Sequence, residues 1–237
     1  MEEISSLITV VIPCKNEEGY IYDTLKGLSL QENTSGMRVI VADAGSTDET
    51  INEIERARSV LALDIDVIEG GAVSVGRNRG SMLVKTPYIL FVDADAVLLD
   101  PKTIEKTCRL LRSGSAKLVT CTTVNTSNDV RARLAYRLFS FFRDHMMKEP
   151  FAQGTYMAMS VGDFFRHGMF DETVTQSEDF LLTRKFPMSK FVVLKDRITQ
   201  DDRRFKKMGY FGFTRLVMSN YLKRNNIEHF RRDVGYW

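Results

Sequence analysis

Two aspartates two residues apart end the apolar run Tyr88 to Val92, in the stretch FVDADAV at residues 91–97. On an extended chain that spacing puts both side chains on one side, where two carboxylates repel each other and resist burial. Mg²⁺ and Mn²⁺ are hard cations, commonly held by one or two carboxylates with substrate phosphates completing the shell. Asp93 and Asp95 are therefore candidate metal ligands; a solvated strand end or a helix cap is the plainer alternative. A second acidic pair, Glu178 and Asp179 in QSEDFLL, opens a helical pattern. It could supply a general base or simply complement a helix N-terminus. Adjacent carboxylates raise one apparent pKa by mutual repulsion, which suits a base working near neutral pH. Arg203 and Arg204 stand in TQDDRRF. Guanidinium forks match phosphate oxygens, so a loop closing over a diphosphate is one reading and a solvated charge run the other.

The elements that must position these groups are legible from residue pattern. Leu7–Ile12, Met37–Ala42 and Tyr88–Val92 are short, continuous, β-branched runs, as expected of strands buried on both faces of a parallel sheet. Between them the apolar spacing predicts helices over Asn16–Leu30 and Thr50–Leu63, the latter opened by Ser46 or Thr47 with Glu49 in its first turn. Asp66–Glu69 reads as a short strand and GGAVSVGRNRG as a loop entering a helix. Further on, Pro101–Arg112 reads as a helix, Lys117–Thr123 as a strand and Val130–Lys148 as a long amphipathic helix. Gly154–Ser160 and Lys190–Leu194 read as strands and Tyr210–Arg224 as a helix.

Alternating strands and helices imply an α/β fold, with a mostly parallel Rossmann-like sheet and helices on both faces. Ligands of such sheets bind outside the carboxyl ends of the strands. Three polar clusters fall there: Pro13–Glu17, Asp43–Asp48 and Asp93–Asp95. Asp43 could accept from a base edge or bind ribose hydroxyls, and Arg77 and Arg79 can reach base carbonyls or phosphates. Gln153 and Gly154 stand ahead of a small-residue strand. The 237 residues carry a net charge of +2 and 43% hydrophobic residues, giving no reason to expect nucleic acid as a partner. Cys14, Cys108 and Cys121 lack metal-ligand spacing and read as buried free thiols in a reducing compartment. The N-terminal MEEISSLITVVIP reads as neither signal peptide nor span, and no run reaches the roughly 18 apolar residues a membrane span needs.

In order, TVVIPCKNEE, VIVADAGSTDET, VGRNRGSMLVKTPYILFVDADA, FDE and QSEDFLLTRKF resemble the family 2 glycosyltransferases of GT-A fold, which usually read VIPxYNEE, DDGSxD, ARNxG, DxD and ED. The resemblance runs over roughly residues 7 to 210, and TQDDRRFKKMG is similar to the TSxRRxxxxG ending of one bacterial-type branch. It implies one GT-A domain over 1–237, with a nucleotide-binding half at 1–100 and an acceptor-binding half with a C-terminal helix at 101–237. It implies an inverting transfer from a nucleotide-diphosphate sugar, UDP-sugar ahead of GDP-sugar, to an acceptor hydroxyl or lipid phosphate, assisted by Mn²⁺ or Mg²⁺. By motif match, Pro13 and Glu17 would border the nucleoside, Asp43 would contact the base and Arg77 would face it. Asp93 and Asp95 would hold ribose and metal, with Asp95 the closer metal ligand. Asp179 would be the base and Glu178 its orienting or capping neighbour, and Gln153 and Gly154 would form the floor of the sugar pocket. Ala44 departs from DDGS, Lys15 stands where tyrosine is common, and no histidine stands in register as a late metal ligand, a place that Asp201 or Asp202 could fill.

Two other classes stay open at this stage. A nucleotidyltransferase would want a glycine-rich phosphate loop after the first strand, where this chain reads PCKNEE. A non-catalytic sugar-nucleotide-binding module would lack a key group. The acceptor would be a saccharide or a lipid-linked molecule, and the setting cytoplasmic. The basic amphipathic segment Val130–Lys148 fits either a peripheral contact at the inner face of a membrane, packing on the domain, or a homodimer contact.

Overall fold

The structure is a computed structural model that describes residues 3–125, 129–201 and 203–232; at 204–207, 210, 211, 213 and 214 it describes the backbone alone. The strands are β1 Ile8–Cys14, β2 Met37–Asp43, β3 Leu63–Glu69, β4 Tyr88–Phe91, β5 Leu118–Val124, β6 Met157–Ser160 and β7 Phe191–Thr199. The helices are α1 Ile21–Ser29, α2 Thr50–Val60, α3 Val73–Ser81, α4 Thr103–Arg112, α5 Val130–His145, α6 Val161–Arg166, α7 Glu178–Thr183, α8 Arg203–Leu222 and α9 Ile227–Phe230. The strands form one sheet in the order β3-β2-β1-β4-β6-β5-β7. All neighbours pair in parallel except β6, which runs antiparallel to both β4 and β5.

The continuous apolar strands are explained by two cores. Val10, Ile12, Val39, Val41 and Leu90 point to one face, where they meet Ile21 and Leu25 of α1, Ile54 of α2 and Ile104 of α4. Val11, Ile40, Ile89 and Phe91 point to the other, against Phe164 of α6 and Leu182 of α7. Each such side chain contributes about 1.5–3 kcal/mol on burial, so a polar residue in mid-strand is costly and polar chemistry is pushed to strand ends. Helix α3 crosses the second face at close range. A Cβ at Gly80 would collide with Val11, so glycine there permits the approach.

Several boundaries differ from the expected ones, each for a local reason. β1 continues through Pro13, which pairs with Ala42; β4 accompanies β1 only as far as Val11, so the missing proline N–H costs no rung on that side. α1 starts at Ile21 rather than Asn16, because Asn16 has φ 51° and the backbone after it bonds to the neighbouring loop. α2 stops at Val60, three residues before the expected end, and β3 begins at Leu63, three residues before the expected start, so Leu63 passes from expected helix to strand. β7 runs on to Thr199, whose N–H and hydroxyl bond the Val97 backbone at 2.9 and 3.1 Å. That brings Gln200 and Arg203 beside the two aspartates. Helix α8 begins at Arg203, within the stretch expected as a loop, and breaks at Gly209 (φ 71°, ψ 156°), a conformation glycine adopts without strain. Among the described residues, no helix is long and apolar enough to cross a membrane.

Candidate active site

The three polar clusters meet at the carboxyl ends of β1, β2 and β4. The loops after β1 and β2 are laced together: Asn16 N–H donates to Ser46 Oγ (2.8 Å), Thr47 N–H to Asn16 Oδ1 (2.9 Å), and Glu17 N–H to Thr50 Oγ1 (2.8 Å). Asp43 is absorbed in this lattice. Its Oδ2 accepts from the N–H groups of Gly45 and Ser46, both at 3.0 Å, and its Oδ1 from the Ser46 hydroxyl at 2.5 Å. Pro13 and Glu17 lie beside it, half-buried.

Arg77 is engaged by acids of the site itself. It projects from α3 into the protein and is 1% exposed. Nη2 donates to Asp93 Oδ1 and Nη1 to Glu178 Oε1, each at 2.7 Å. Its guanidinium also lies 5.2 Å from the centre of the Phe170 ring. Burial opposes the charge, but Asp93 and Glu178 outweigh it and hold the guanidinium protonated, its pKa raised. Nε is buried without a partner among the described residues. Arg79, by contrast, is exposed and turns back to Glu69 and the Gly70 carbonyl.

Antiparallel β6 starts where β4 ends, with Met157 opposite Phe91, so Gln153 and Gly154 just before it arrive at Asp93. A Cβ on Gly154 would collide with the Arg77 guanidinium and stand 2.9 and 3.0 Å from the Asp93 oxygens; only glycine fits beside that ion pair. The Gly154 N–H donates to Asp179 Oδ2 at 3.0 Å, and the Phe180 N–H to Asp179 Oδ1 at 2.7 Å. Burial, then the charge of Glu178, push the Asp179 carboxyl up to about 7, against the opposing pull of Arg77. The turn before α7 is held at Ser177, φ 54°, where Asn220 of α8 donates to Ser177 Oγ at 2.8 Å. Asp179 lines a cleft together with Asp93, Gln153 and Gly154, and with aromatic walls from α5 and α8 that include Phe139, Phe142 and Tyr221. One end of the cleft can accept a proton and the other is an apolar, ring-lined chamber.

Arg203, the first residue of α8, carries the charge pattern of the other side. Its Nη2 bridges Glu17 Oε2 and Asp95 Oδ2, both at 2.8 Å, and its guanidinium stacks 4.2 Å over the Tyr20 ring. Burial works against its charge, but the hydrogen bonds and charges of Asp95 and Glu17 raise its pKa further. Burial raises Glu17 to about 7, Arg203 opposing and Asp95 assisting. Asp201 caps the helix by accepting from the Arg203 N–H at 2.7 Å. The side chain of Arg204, and Asp202 altogether, lie outside the described residues.

The donor set suits a hard cation: Asp93 and Asp95 are carboxylates at a strand end, 14% and 15% exposed at the side chain. Among the described residues no group of three or more His, Cys, Asp or Glu could hold an ion. Substrate oxygens would have to complete the shell, as is usual for Mg²⁺, and Arg203 would have to release Asp95. The sequence reading missed Tyr20, Asn220 and the aromatic wall. Aromatic density in FSFF at 139–142 was a usable signal for the last; nothing local marks the other two.

A family model described as Glycosyl transferase family 2 matches residues 9–173. The chain is 32% identical over 90 residues to the poly(ribitol-phosphate) beta-N-acetylglucosaminyltransferase TarS of Staphylococcus aureus, which covers 37% of this chain and 16% of that protein. The chain thus spans about a sixth of that relative's length. Among solved structures it is similar to the mannosyltransferase PcManGT of Pyrobaculum calidifontis in complex with GDP-Man and Mn²⁺, with TM-score 0.70, 20% identity, and coverage of 95% of this chain and 64% of that one. It is also similar to residues 1–349 of S. aureus TarS in complex with UDP-GlcNAc, with TM-score 0.61, 20% identity, and coverage of 82% and 58%. These likenesses show a shared fold.

Proposed function

The chain belongs to glycosyl transferase family 2 and has the GT-A fold, and from that premise we propose that it transfers a sugar, with inversion, from a nucleotide-diphosphate sugar to an acceptor held in the aromatic cleft. Residues 1–100 are the nucleotide-binding half and 101–237 the acceptor half. The observation that carries this reading is Asp179, a carboxylate fixed by two backbone N–H groups in the cleft wall and raised to about 7.

In the proposed step, Asp179 takes the proton of the acceptor hydroxyl. The acceptor oxygen bonds to the anomeric carbon from the face opposite the diphosphate, and the nucleoside diphosphate leaves with the electron pair of the broken bond. With a lipid phosphate as acceptor, the oxygen arrives already ionised and no general base is needed. Glu178 orients through Arg77, which ties Asp179's neighbour to Asp93 and keeps both ends of the site in register. Pro13, Glu17 and Asp43 border the nucleoside. Arg203 releases Asp95 and Glu17 to reach the diphosphate, with Arg204 following it. Gln153 and Gly154 floor the sugar pocket. A divalent ion on Asp95 and Asp93 would supply positive charge to the leaving diphosphate.

The solved neighbours carry UDP-GlcNAc in one case and GDP-Man with Mn²⁺ in the other, so the fold accommodates either base; a UDP-sugar is the first donor to try. A panel of UDP- and GDP-sugars with Mn²⁺ or Mg²⁺, scored for donor hydrolysis and thermal shift, tests the assignment. Slow hydrolysis of one donor supports it. Pyrophosphate release from a sugar phosphate and a nucleoside triphosphate would replace it with a nucleotidyltransferase, and tight binding with no turnover would replace it with a binding module.

Asp95→Ala is expected to fold normally, because a partly exposed strand-end carboxylate is not part of either core, and to lose the metal-dependent gain in nucleotide affinity. Calorimetric titration of UDP and GDP with and without Mn²⁺ checks this. Retention of the full Mn²⁺ effect by the variant would remove Asp95 from the metal site.

A further inference from the structure

Helix α5 has two working faces. Phe139 and Phe142 line the cleft. On the opposite side Val130, Leu134, Leu138 and Phe141 follow at spacings of four, four and three residues, which sets them in one stripe; all four are 54–65% exposed. Such a stripe is costly to leave in water. Its borders are basic: exposed Arg133 and Arg137 flank one side and exposed Arg131 the other. The helix's acids are already engaged, Asp129 with Arg131 and Asp144 with buried Arg143. Arg133 and Arg137 have no acidic partner among the described residues. Both arginines also border a groove between α5 and the end of β5, lined by Thr122 and Asn125. Apolar side chains beside two arginines, Arg133 and Arg137, that no acid of the described residues neutralises, next to a groove of hydroxyl and amide groups, complement a surface that is apolar underneath and anionic on top.

We infer that the outer face of α5 docks on an anionic membrane surface, with Leu134, Leu138 and Phe141 among the acyl–headgroup boundary and Arg133 and Arg137 on lipid phosphates. A helix with its side chains is roughly 10–12 Å thick, so docking places the aromatic cleft about one helix diameter from the bilayer. That position suits an acceptor presented by lipid. The docking itself is independent of the proposed transfer and is tested without it.

The experiment is flotation of the full chain with phosphatidylcholine vesicles and with vesicles containing 30% phosphatidylglycerol, at about 50 and 500 mM NaCl, alongside the variants R133E/R137E and L134S/F141S. All four positions are exposed, so circular dichroism and melting temperature should be unchanged. Docking requires binding to the anionic vesicles at low salt, weakened by high salt as surface electrostatics are screened, and at least tenfold weaker partitioning for each double variant. The inference is overturned by absence of binding to anionic vesicles at low salt, or by variants that partition like the parent. It is also overturned if light scattering shows a homodimer that L134S/F141S dissociates, which would assign the stripe to a second copy.

Discussion

Asp179→Asn is expected to lower transfer by about 10²–10⁴-fold, the usual scale of general base catalysis, while donor affinity stays near that of the parent. Asparagine keeps the shape and can still accept from Gly154 or Phe180, but it cannot take a proton. The parent's rate should rise with pH and level off above about 7, where Asp179 is ionised; in the variant that rise should vanish. Turnover equal to the parent's would remove Asp179 from the mechanism. The same shift has a stability consequence with a definite sign. The folded carboxyl holds its proton more tightly than an unfolded one, whose pKa is about 3.9. Its stabilising contribution is therefore fully present below that value and is lost as pH rises through about 7. Glu17, also raised to about 7, acts in the same window. The parent's unfolding free energy should therefore fall, relative to that of Asp179→Asn, between pH 5.5 and 8, as urea titrations at the two pH values can measure.

Arg77→Met is expected to destabilise the fold by about 3–5 kcal/mol at pH 7.5, because removing one partner of a buried ion pair leaves uncompensated buried charge. Here two carboxylates are stranded, Asp93 and Glu178, both largely enclosed. Arg77→Lys should recover only part of the loss, since one ammonium lacks the rigid fork that addresses two carboxylates at once. Urea unfolding of the three proteins at pH 7.5 decides the matter. A cost below about 1 kcal/mol for Arg77→Met would mean that the pair does not hold the two sides of the site together.

Much of this molecule was legible in its residue order. Runs such as LITVVI and MRVIVA had to be strands covered on both faces, because no alternation offers a solvent side. Once strands of that kind alternate with helices, polar residues collect at strand ends, which is where Asp43 and Asp93 lie. The acid pair at 178–179 announced itself by standing before an apolar helix. What sequence could not decide was which charge meets which. Arg77 reads as one of two arginines in a glycine-flanked loop entering a helix, and both looked able to reach a ligand. Only the close approach of α3 to the sheet drives Arg77 inward, onto acids 16 and 101 residues away, and leaves Arg79 outside. Arg203 likewise reads as part of a charge run until β7 extends to Thr199 and delivers it to Asp95, 108 residues earlier. Strand and helix follow from local sterics and side-chain periodicity, which neighbouring residues carry. Burial of a charge, its partner and hence its pKa depend on packing between distant segments, and those are settled only when the chain has folded.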